Sequence, residues 1–485
     1  MISETRVVVF ALYFGAVFAL GLYGLKKTRN EGDYWVAGGR LGWAVGGATL
    51  AATHTSGGTF IGAIGAIYAF GWSFGWVLLA IPLSYWFMAA VLAPRFTRVR
   101  ELTVPAFIER RYYSRTARAV AGAIIMIAIV VYVQAQIVAG GLVANIVFNV
   151  PIRDGMVWFT VAMLAYTIVG GMIAVVYTDF LQMLVMVVGT LFAVPLALRH
   201  VEGFGPLLEY AAAAKPTVFS FGVLPGLLLF TMGLSFFLGS VATPEKLIRL
   251  YAMKDMRTIR RGILLTMVLV VALNLLVMTL GLVSIVLFPT LPTGDLAMPL
   301  VARTVLPSFI GTLLLAAVAS AMMSTVDSLL IVAGSALSED LYQGLLGRPA
   351  SPRNRLVLGR IGILLTGAAP LLLVLTGVGA GELVQLIVLL FTALMASSFF
   401  IPVVAGVYWR RANREGAIAA MLGGALATIL WKLWGAESMD PVVAGFLTSS
   451  VLMVGVSLLT TPPPESALEP YFPRRPSQPK KERPT

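Results

Sequence analysis

The feature that most constrains this chain is a series of long apolar stretches separated by short polar segments. A helix needs about 20 residues to cross the hydrocarbon core of a bilayer, and thirteen stretches are long and apolar enough. They are continuous rather than alternating, so each predicts a helix and not a strand of a membrane barrel. The predicted spans lie near residues 6–25, 42–70, 73–93, 119–147, 157–176, 179–198, 221–241, 263–287, 309–337, 357–377, 383–408, 416–434 and 441–460.

The composition agrees with a membrane location. Of the 485 residues, 59% are hydrophobic and 12% are charged, whereas roughly 25% are charged in an average soluble protein. We therefore predict an all-α, polytopic membrane protein in which residues 1–460 form a single transmembrane domain. Residues 461–485 are rich in proline and basic side chains, and they are predicted to form a disordered cytoplasmic tail.

The net charge of +13 does not indicate nucleic-acid binding, because the basic residues are grouped in particular loops. Most of the 35 Lys and Arg residues follow spans 1, 3, 7, 9, 11 and 13. With thirteen spans, these six segments share one side of the membrane, which the positive-inside rule makes cytoplasmic. The predicted location is a plasma or inner membrane, with the N-terminus outside and the C-terminus in the cytoplasm.

Two large function classes are disfavoured. No soluble segment exceeds roughly 25 residues, which is too short for a nucleotide-binding domain of about 100 residues or more, and no P-loop pattern occurs. The chain also lacks a nucleophile triad or a metal-ligand cluster, which an enzyme acting within the membrane would need. The sequence thus predicts neither an ATP-driven pump nor an enzyme, and no segment indicates an obligate protein partner.

Two spans contain residues that interrupt a helix. The second span carries "THTSGG" at residues 53–58, at mid-membrane depth, where Gly, Ser and Thr weaken a helix. Gly58 and Gly62 alone would fit close helix packing, but the polar residues before them favour an unwound site. The seventh span also has central glycines. Paired interruptions predict an inverted-repeat transporter, with repeats over about 42–198 and 221–408.

The ninth span carries a stripe of small and hydroxyl side chains with helical spacing i, i+3, i+4 and i+7. These residues are Ala321, Ser324, Thr325 and Ser328. Their hydroxyls offer hard, neutral oxygens that suit a small cation, which needs about five such ligands. Carbonyls freed near Ala52 and Thr55 are expected to complete the site. The alternative is a bond from each hydroxyl back to the carbonyl four residues earlier, which is common in membrane helices.

Three ionisable residues lie in apolar runs. Asp179 begins span 6, Asp327 lies in span 9, and His54 lies in span 2. Intramembrane acids are costly and mark ion or proton pathways, although Asp179 also suits an N-cap. His54 is compatible with a proton relay, a substrate contact or a packing residue. Proton-coupled symport through these three residues is therefore an alternative hypothesis, and a membrane sensor built on a transporter fold is a further one.

Five motifs in order resemble the sodium:solute symporter family. They are "DYWVAGGR", "SGGTFIG", "TVPAFIERRY", "GGMIAVVYTDFLQ" and "MSTVDSLLIVAGSALSEDLY", extending roughly from Tyr34 to Tyr342. The resemblance implies a LeuT-type 5+5 inverted repeat formed by spans 2 to 11, with one extra N-terminal and two extra C-terminal helices. It also implies symport across the lipid bilayer by alternating access, with Na⁺ as the coupling ion.

The resemblance also assigns site residues. The implied sodium site consists of the carbonyls of Ala52, Thr55 and Ala321 and the hydroxyls of Ser324 and Thr325. A possible second sodium site consists of Asp179, Asp327 and Ser328. Substrate contacts are expected at His54, Ser56 and Thr59, and His54 stands where other members carry Asn or Asp. The motif sequences most resemble those of pantothenate, monocarboxylate and proline carriers, which implies a small organic anion or zwitterion as the solute.

Overall fold

The computed structural model describes residues 4–27, 37–169, 172–347, 351–379 and 381–472. Within these ranges the secondary structure is helical apart from one isolated β-bridge between Leu41 and Met253. The main helices are α1 Glu4–Lys27, α2 Trp43–His54, α3 Gly58–Phe70, α4 Trp72–Phe96, α5 Val104–Tyr112, α6 Arg115–Phe148, α7 Ile152–Val169, α8 Met172–Arg199, α9 Phe204–Ala214, α10 Gly226–Ala242, α11 Pro244–Ala252, α12 Met256–Leu287, α13 Ser308–Leu346, α14 Pro352–Leu375, α15 Val384–Tyr408, α16 Arg414–Trp434, α17 Val442–Leu459 and α18 Glu465–Leu468. Short helical segments also occur at Ala37–Gly39, Gly294–Leu296, Ala297–Leu300 and Val301–Val305.

The helices confirm an all-helical, polytopic membrane protein. In the described part of the chain, ten helices are long and apolar enough to cross a membrane, and the number is eleven if the bent pair α10 and α11 is one span. The other predicted spans correspond to α7 and to the pair α2 and α3, which is broken at residues 55–57. The helices α13 and α15 are the most buried, at 83% each over their apolar windows, so the centre of the molecule lies around them.

The interruption predicted in the second span is present. The seventh span is not interrupted at its glycines, because its helix is continuous from Gly226 to Ala242, and the break follows at Thr243. The helix α2 ends at His54, Thr55 has an extended backbone with φ −76° and ψ 113°, and the next helix begins at Gly58 with a π-helical turn. The helices α10 and α11 meet at a bend of 41°, with Thr243 extended at φ −72° and ψ 128°. Pro244 explains this second break, because the proline ring disfavours a helical conformation for the residue before it.

The segment after the bend differs from the prediction. Residues 242–262 were expected to form a basic cytoplasmic loop, but Pro244–Ala252 is a helix in which every residue is buried. Hydropathy predicts a loop at Lys246 and Arg249, because it takes no account of charged partners elsewhere in the fold. In the structure the carboxylate of Asp179 on α8 contacts Arg249, so the helix α11 lies inside the protein.

The position of Asp179 contradicts one of the two interpretations of this residue. Within the described residues the helix α8 begins at Met172, so Asp179 lies about two turns inside it. The N-cap interpretation of Asp179 is therefore wrong. An interior position leaves its carboxylate to be compensated by other helices rather than by its own helix terminus.

The predicted tail is partly folded. Residues up to 472 pack on the domain: Glu465–Leu468 is a short helix, and Tyr471 is 1% exposed. The ring of Tyr471 packs edge-on against Phe107 with centroids 5.6 Å apart. Aromatic burial therefore orders the beginning of this segment, against the composition-based prediction of disorder. Residues 473–485 lie outside the described residues.

Candidate functional site

The unwound segment between α2 and α3 is held by polar side chains. The Gly57 amide donates to Gln136 Oε1 on α6 at 2.9 Å, and the Gly58 amide donates to Ser56 Oγ at 3.0 Å. These bonds replace the helical partners that the amides have lost, as buried backbone groups require. The carbonyls at the end of α2 thereby remain available to side chains from other helices.

Ser324 on α13 reaches the end of α2. Its hydroxyl oxygen lies 2.9 Å from the Ala52 carbonyl oxygen and 3.1 Å from the Ala321 carbonyl oxygen. The first contact crosses between helices, and the second is a local contact within α13. The hydroxyl oxygen of Ser324 is therefore shared between the neighbouring helix and its own, and its local contact is to the carbonyl three residues earlier rather than four.

Thr325 makes the same kind of bridge. Its Oγ1 lies 3.1 Å from the Thr53 carbonyl oxygen, 3.3 Å from the Thr55 carbonyl oxygen and 3.1 Å from the Ala321 carbonyl oxygen. With Ser324 and Ala52, the structure thus brings all five sequence-predicted residues of the first site into one buried cluster, and it adds the carbonyl of Thr53. We refer to these two hydroxyls and four carbonyls as the oxygen cluster.

The residues proposed for a second cation site surround an arginine. Arg249 Nη2 lies 2.9 Å from Asp179 Oδ2 and 2.6 Å from Ser328 Oγ, and Arg249 Nε lies 3.1 Å from Thr49 Oγ1. Thr49 also donates to Asp179 Oδ2. The guanidinium group therefore lies between two of the three predicted residues.

The third residue, Asp327, contacts a different helix. Its Oδ1 accepts a hydrogen bond of 2.6 Å from Thr167 Oγ1 on α7. Sequence reasoning did not single out Arg249, although a signal existed: a carboxylate in an apolar run requires a buried cationic partner. The basic residues after span 7 were the available candidates.

The three predicted substrate contacts line one cavity between the two helix breaks. His54, Ser56 and Thr59 all face it, with a free volume of about 30 Å³. The His54 ring also packs edge-on against Tyr85, with centroids 5.7 Å apart. Further lining residues include Tyr132, Phe236, Glu245, Lys246, Gln385 and Phe391. The charged pair Glu245 and Lys246 was missed because it lies in the segment predicted to be a loop.

One side of the cavity is closed by close packing of α3 against α15. A Cβ atom at Gly62 would lie 2.8 Å from the Gln385 amide nitrogen, so only glycine fits there. The packing interpretation of Gly58 and Gly62 therefore holds together with the unwound segment.

Near the start of α15, Asp295 Oδ2 accepts a hydrogen bond of 2.9 Å from the Val384 amide. Burial raises the pKa of the Asp295 carboxyl to about 7.

Comparison with known proteins decides the family. The family model of the sodium:solute symporter family matches residues 34–424. The chain belongs to this family. A sodium:solute symporter is a membrane transport protein, and its similar proteins are transporters, so the chain is not an enzyme.

Two curated relatives of this sodium:solute symporter come from Bacillus subtilis strain 168. The osmoregulated proline transporter OpuE is 27% identical over 475 residues, covering 95% of this chain and 96% of the relative. The high-affinity proline transporter PutP is 28% identical over 471 residues, covering 93% and 98%. A sodium/proline symporter of Staphylococcus aureus strain USA300 is 26% identical over 485 residues, covering 94% and 93%.

Solved structures show the same fold. The substrate-bound, outward-open state of a Na⁺-coupled sialic acid symporter superimposes with a TM-score of 0.80 at 18% identity, covering 95% of this chain and 98% of that one. The nucleobase-cation-symport-1 transporter Mhp1, in a closed conformation, gives a TM-score of 0.58 at 15% identity, covering 92% and 99%. Both matches extend over nearly the whole chain.

Proposed function

We propose that this protein is a secondary active transporter that uses a sodium gradient to take up a small organic solute by alternating access. The oxygen cluster is the observation that carries the proposal. Its two hydroxyls and four carbonyls are hard, neutral ligands, and they suit a monovalent cation without the desolvation cost of extra carboxylates. Na⁺ is the coupling ion that the family membership supports.

The position of the cluster supports coupling to the solute. The unwound segment contributes the Thr55 carbonyl to the cluster, and its neighbours His54 and Ser56 to the cavity. A cation in the cluster would hold the end of α2 against α13 and so order the cavity wall. By linkage, a solute that favours this arrangement must tighten cation binding by the same factor.

The solute is proposed to be a small zwitterion or organic anion, with L-proline as the first candidate. Three similar proteins that cover nearly the whole chain are described as proline transporters, which supports an amino-acid-like solute. Among the residues predicted to contact it, we retain His54, Ser56 and Thr59, because all three line the cavity.

We propose a single sodium site. The Arg249 guanidinium contacts both Asp179 and Ser328 and supplies there the positive charge that a second Na⁺ would bring. The expected Hill coefficient for sodium is therefore about 1. The proton-coupled alternative has less support, because Asp179 is held by Arg249 and Asp327 contacts Thr167, and neither acid lines the cavity.

The architecture proposed for this activity is the LeuT-type 5+5 inverted repeat, with thirteen spans and the N-terminus outside. The two interrupted helices, α2 with α3 and α10 with α11, support it, because each opens one of the proposed repeats and both border the cavity. Unwound helices that meet at a midplane site are typical of such repeats.

The decisive experiment is uptake into liposomes. Purified protein would be reconstituted and offered labelled L-proline, L-alanine, pantothenate, pyruvate and glucose under an inward sodium gradient, an inward proton gradient, or no gradient. We expect uptake of one solute only with sodium. Uptake that a proton gradient drives in sodium-free medium would contradict the proposal and support the alternative through His54.

The sodium site is tested by Thr325→Ala. Removing this hydroxyl takes one ligand from the cation, and a hydrogen bond or contact to a charged group contributes about 1.5–3 kcal/mol. The sodium concentration for half-maximal uptake is therefore expected to rise at least about tenfold. The matched control is Thr312→Ala in the same helix, whose hydroxyl donates to the Ser308 carbonyl and, among the described residues, has no contact with the oxygen cluster. Equal sodium dependence in the two variants would rule out the oxygen cluster as the sodium site.

A further inference from the structure

We propose that Glu245 and Lys246 form a charged subsite that selects a zwitterionic solute. In this subsite Lys246 binds the carboxylate of the solute and Glu245 binds its cationic nitrogen. The inference rests on the proposed function, since it names the solute class for the same cavity. It decides between the two classes, anion and zwitterion, that the family membership leaves open.

Both residues are placed at the cavity by the second helix break. The bend at Thr243 and the proline after it put Glu245 and Lys246 in the first turn of α11. There they line the same cavity as His54 and Ser56, which the first break contributes. The two interrupted helices thus supply the two polar ends of one small chamber.

The two charges are buried and have few partners. Glu245 is 3% exposed, and its Oε2 has no hydrogen-bond partner among the described residues. Lys246 is 5% exposed, and its Nζ contacts Ser240 Oγ at a long distance of 3.4 Å. Removing such groups from water costs several kcal/mol per ion unless partners compensate them. A ligand bound in the cavity would supply the missing partners of these two charges.

Two neutral side chains in the cavity wall also lack hydrogen-bond partners. His54 Nδ1 and Gln385 Oε1 are buried and have no hydrogen-bond partner in the described part of the chain. Both residues line the cavity. Buried polar atoms are nearly always hydrogen-bonded, so four unsatisfied or weakly satisfied groups around one chamber indicate a polar ligand.

Glu245 and Lys246 attract each other electrostatically, but their adjacent positions on a helix keep the two charged groups from forming a direct ion pair. Side chains at i and i+1 diverge by about 100° around the helix axis, and they do not face each other. Glu245 and Lys246 therefore present separate charges of opposite sign. A ligand that carries a carboxylate and a cationic nitrogen at different ends can neutralise both.

Charge balance then favours a zwitterion over a simple anion. Glu245 and Lys246 together contribute no net charge, so a zwitterion leaves this buried pair neutral. A monocarboxylate would add a second negative charge beside Glu245, and Lys246 would be shared between the two carboxylates, which is unfavourable in a buried site. The apolar part of the wall, with Phe236, Val388 and Phe391, would take a small hydrocarbon side chain.

The cavity has little free volume in this structure. Its volume of about 30 Å³ is enough for about one or two water molecules. The walls must therefore separate to admit any organic solute. A neutral amino or imino acid with an apolar side chain meets the charge requirement and matches the apolar part of the wall.

The test compares matched ligands on the detergent-purified full chain. L-Proline carries both charges, cyclopentanecarboxylate lacks the nitrogen, and pyrrolidine lacks the carboxylate. Thermal stabilisation by each ligand would be measured with and without sodium, together with a panel of neutral amino acids. We expect a neutral amino acid such as L-proline to stabilise the protein, and its two single-charge analogues to bind at least about tenfold more weakly, as sites built to bond a polar group reject analogues that lack it.

Two variants test which charge of the solute each residue binds. Glu245→Gln is expected to weaken L-proline binding at least about tenfold while leaving the affinity for cyclopentanecarboxylate unchanged or higher. Lys246→Met is expected to weaken L-proline binding at least about tenfold while leaving the affinity for pyrrolidine unchanged or higher. The controls Glu209→Gln and Lys254→Met alter exposed residues and should leave all affinities unchanged.

The outcomes separate the inference from the proposed function. Stabilisation by sodium alone reports on the oxygen cluster and does not need the subsite. If cyclopentanecarboxylate stabilises as strongly as L-proline, if no neutral amino acid stabilises, or if both variants keep wild-type affinity, the subsite is overturned while sodium coupling stands. If sodium neither stabilises the protein nor drives uptake, the proposed function fails, and the ligand comparison still decides the solute class.

Discussion

At the scale of single residues, the contact between Arg249 and Asp179 carries the largest electrostatic consequence. Their side chains are 1% and 0% exposed, and the Nη2 to Oδ2 distance is 2.9 Å. A buried pair gains little net stability over well-packed apolar residues, but the loss of one partner leaves an uncompensated charge. Thr49 and Ser328 supply further hydrogen bonds, so the charges are satisfied from several helices.

Arg249→Met is expected to lower the free energy of unfolding by about 3–5 kcal/mol, because it leaves the Asp179 carboxylate buried without its cation. Thermal unfolding in detergent, at fixed sodium concentration, measures the effect. The double variant Arg249→Met with Asp179→Asn should recover part of the loss, since no buried charge then remains.

The matched control for this prediction is an exposed pair. Arg414 Nε lies 2.6 Å from Glu415 Oε1, with both side chains partly or largely exposed. Arg414→Met should change stability by about 0–1 kcal/mol. A loss at Arg249 no larger than the loss at Arg414 would show that the buried pair does not hold α11 against α8.

At the scale of helices, function depends on where helices stop and how closely they approach. The break after His54 frees carbonyls for Thr325, and the break before Pro244 turns two charges toward the same cavity. Between the breaks, α3 packs on α15 through Gly62, which lies against the backbone of Gln385. A side chain at this contact has no room, and backbone atoms cannot rotate away.

Gly62→Ala is therefore expected to destabilise the protein by about 1–3 kcal/mol, the usual cost of overpacking. It should also weaken solute binding, because Gln385 lines the cavity. Gly455→Ala in α17 is the control, since a Cβ atom there would meet nothing within 4 Å. That variant should be neutral or more stable by up to about 1 kcal/mol. Similar effects of the two alanines would contradict the close approach of α3 and α15.

At the scale of the whole molecule, the proposed orientation in the membrane rests on charge. By the positive-inside rule, the N-terminal end of α12 is proposed to lie on the cytoplasmic side and the loop between α16 and α17 outside. The chain contains no cysteine, so single cysteines can be introduced without removing native ones. The proposed orientation can therefore be tested in otherwise unaltered protein.

A membrane-impermeant thiol reagent added to intact cells is expected to label Glu437→Cys and to leave Arg257→Cys unlabelled. Both positions are exposed, so they differ in side of the membrane rather than in accessibility. After the membrane is permeabilised, both should react. The reverse pattern would invert the proposed topology, and labelling of both in intact cells would contradict the assignment of one of them.

The sequence by itself determined the helical membrane fold, the interruption of the second span and five of the six residues of the oxygen cluster, all but Thr53. These features depend on hydropathy, on local helix propensity and on the spacing of Ser324 and Thr325 along one helix, and all three can be read along the chain. Even the partner segment at Ala52 and Thr55 was accessible, because an unwound stretch has unpaired carbonyls to offer.

Only the tertiary structure decided where the charges of α11 lie. Arg249 and its partner Asp179 are 70 residues apart, and no local pattern specifies their pairing. A charged helix is buried when distant groups compensate its charges and is exposed when they do not. For the same reason the places of Glu245 and Lys246 in the cavity, and the folding of Tyr471 onto Phe107, became visible only when the helices were assembled.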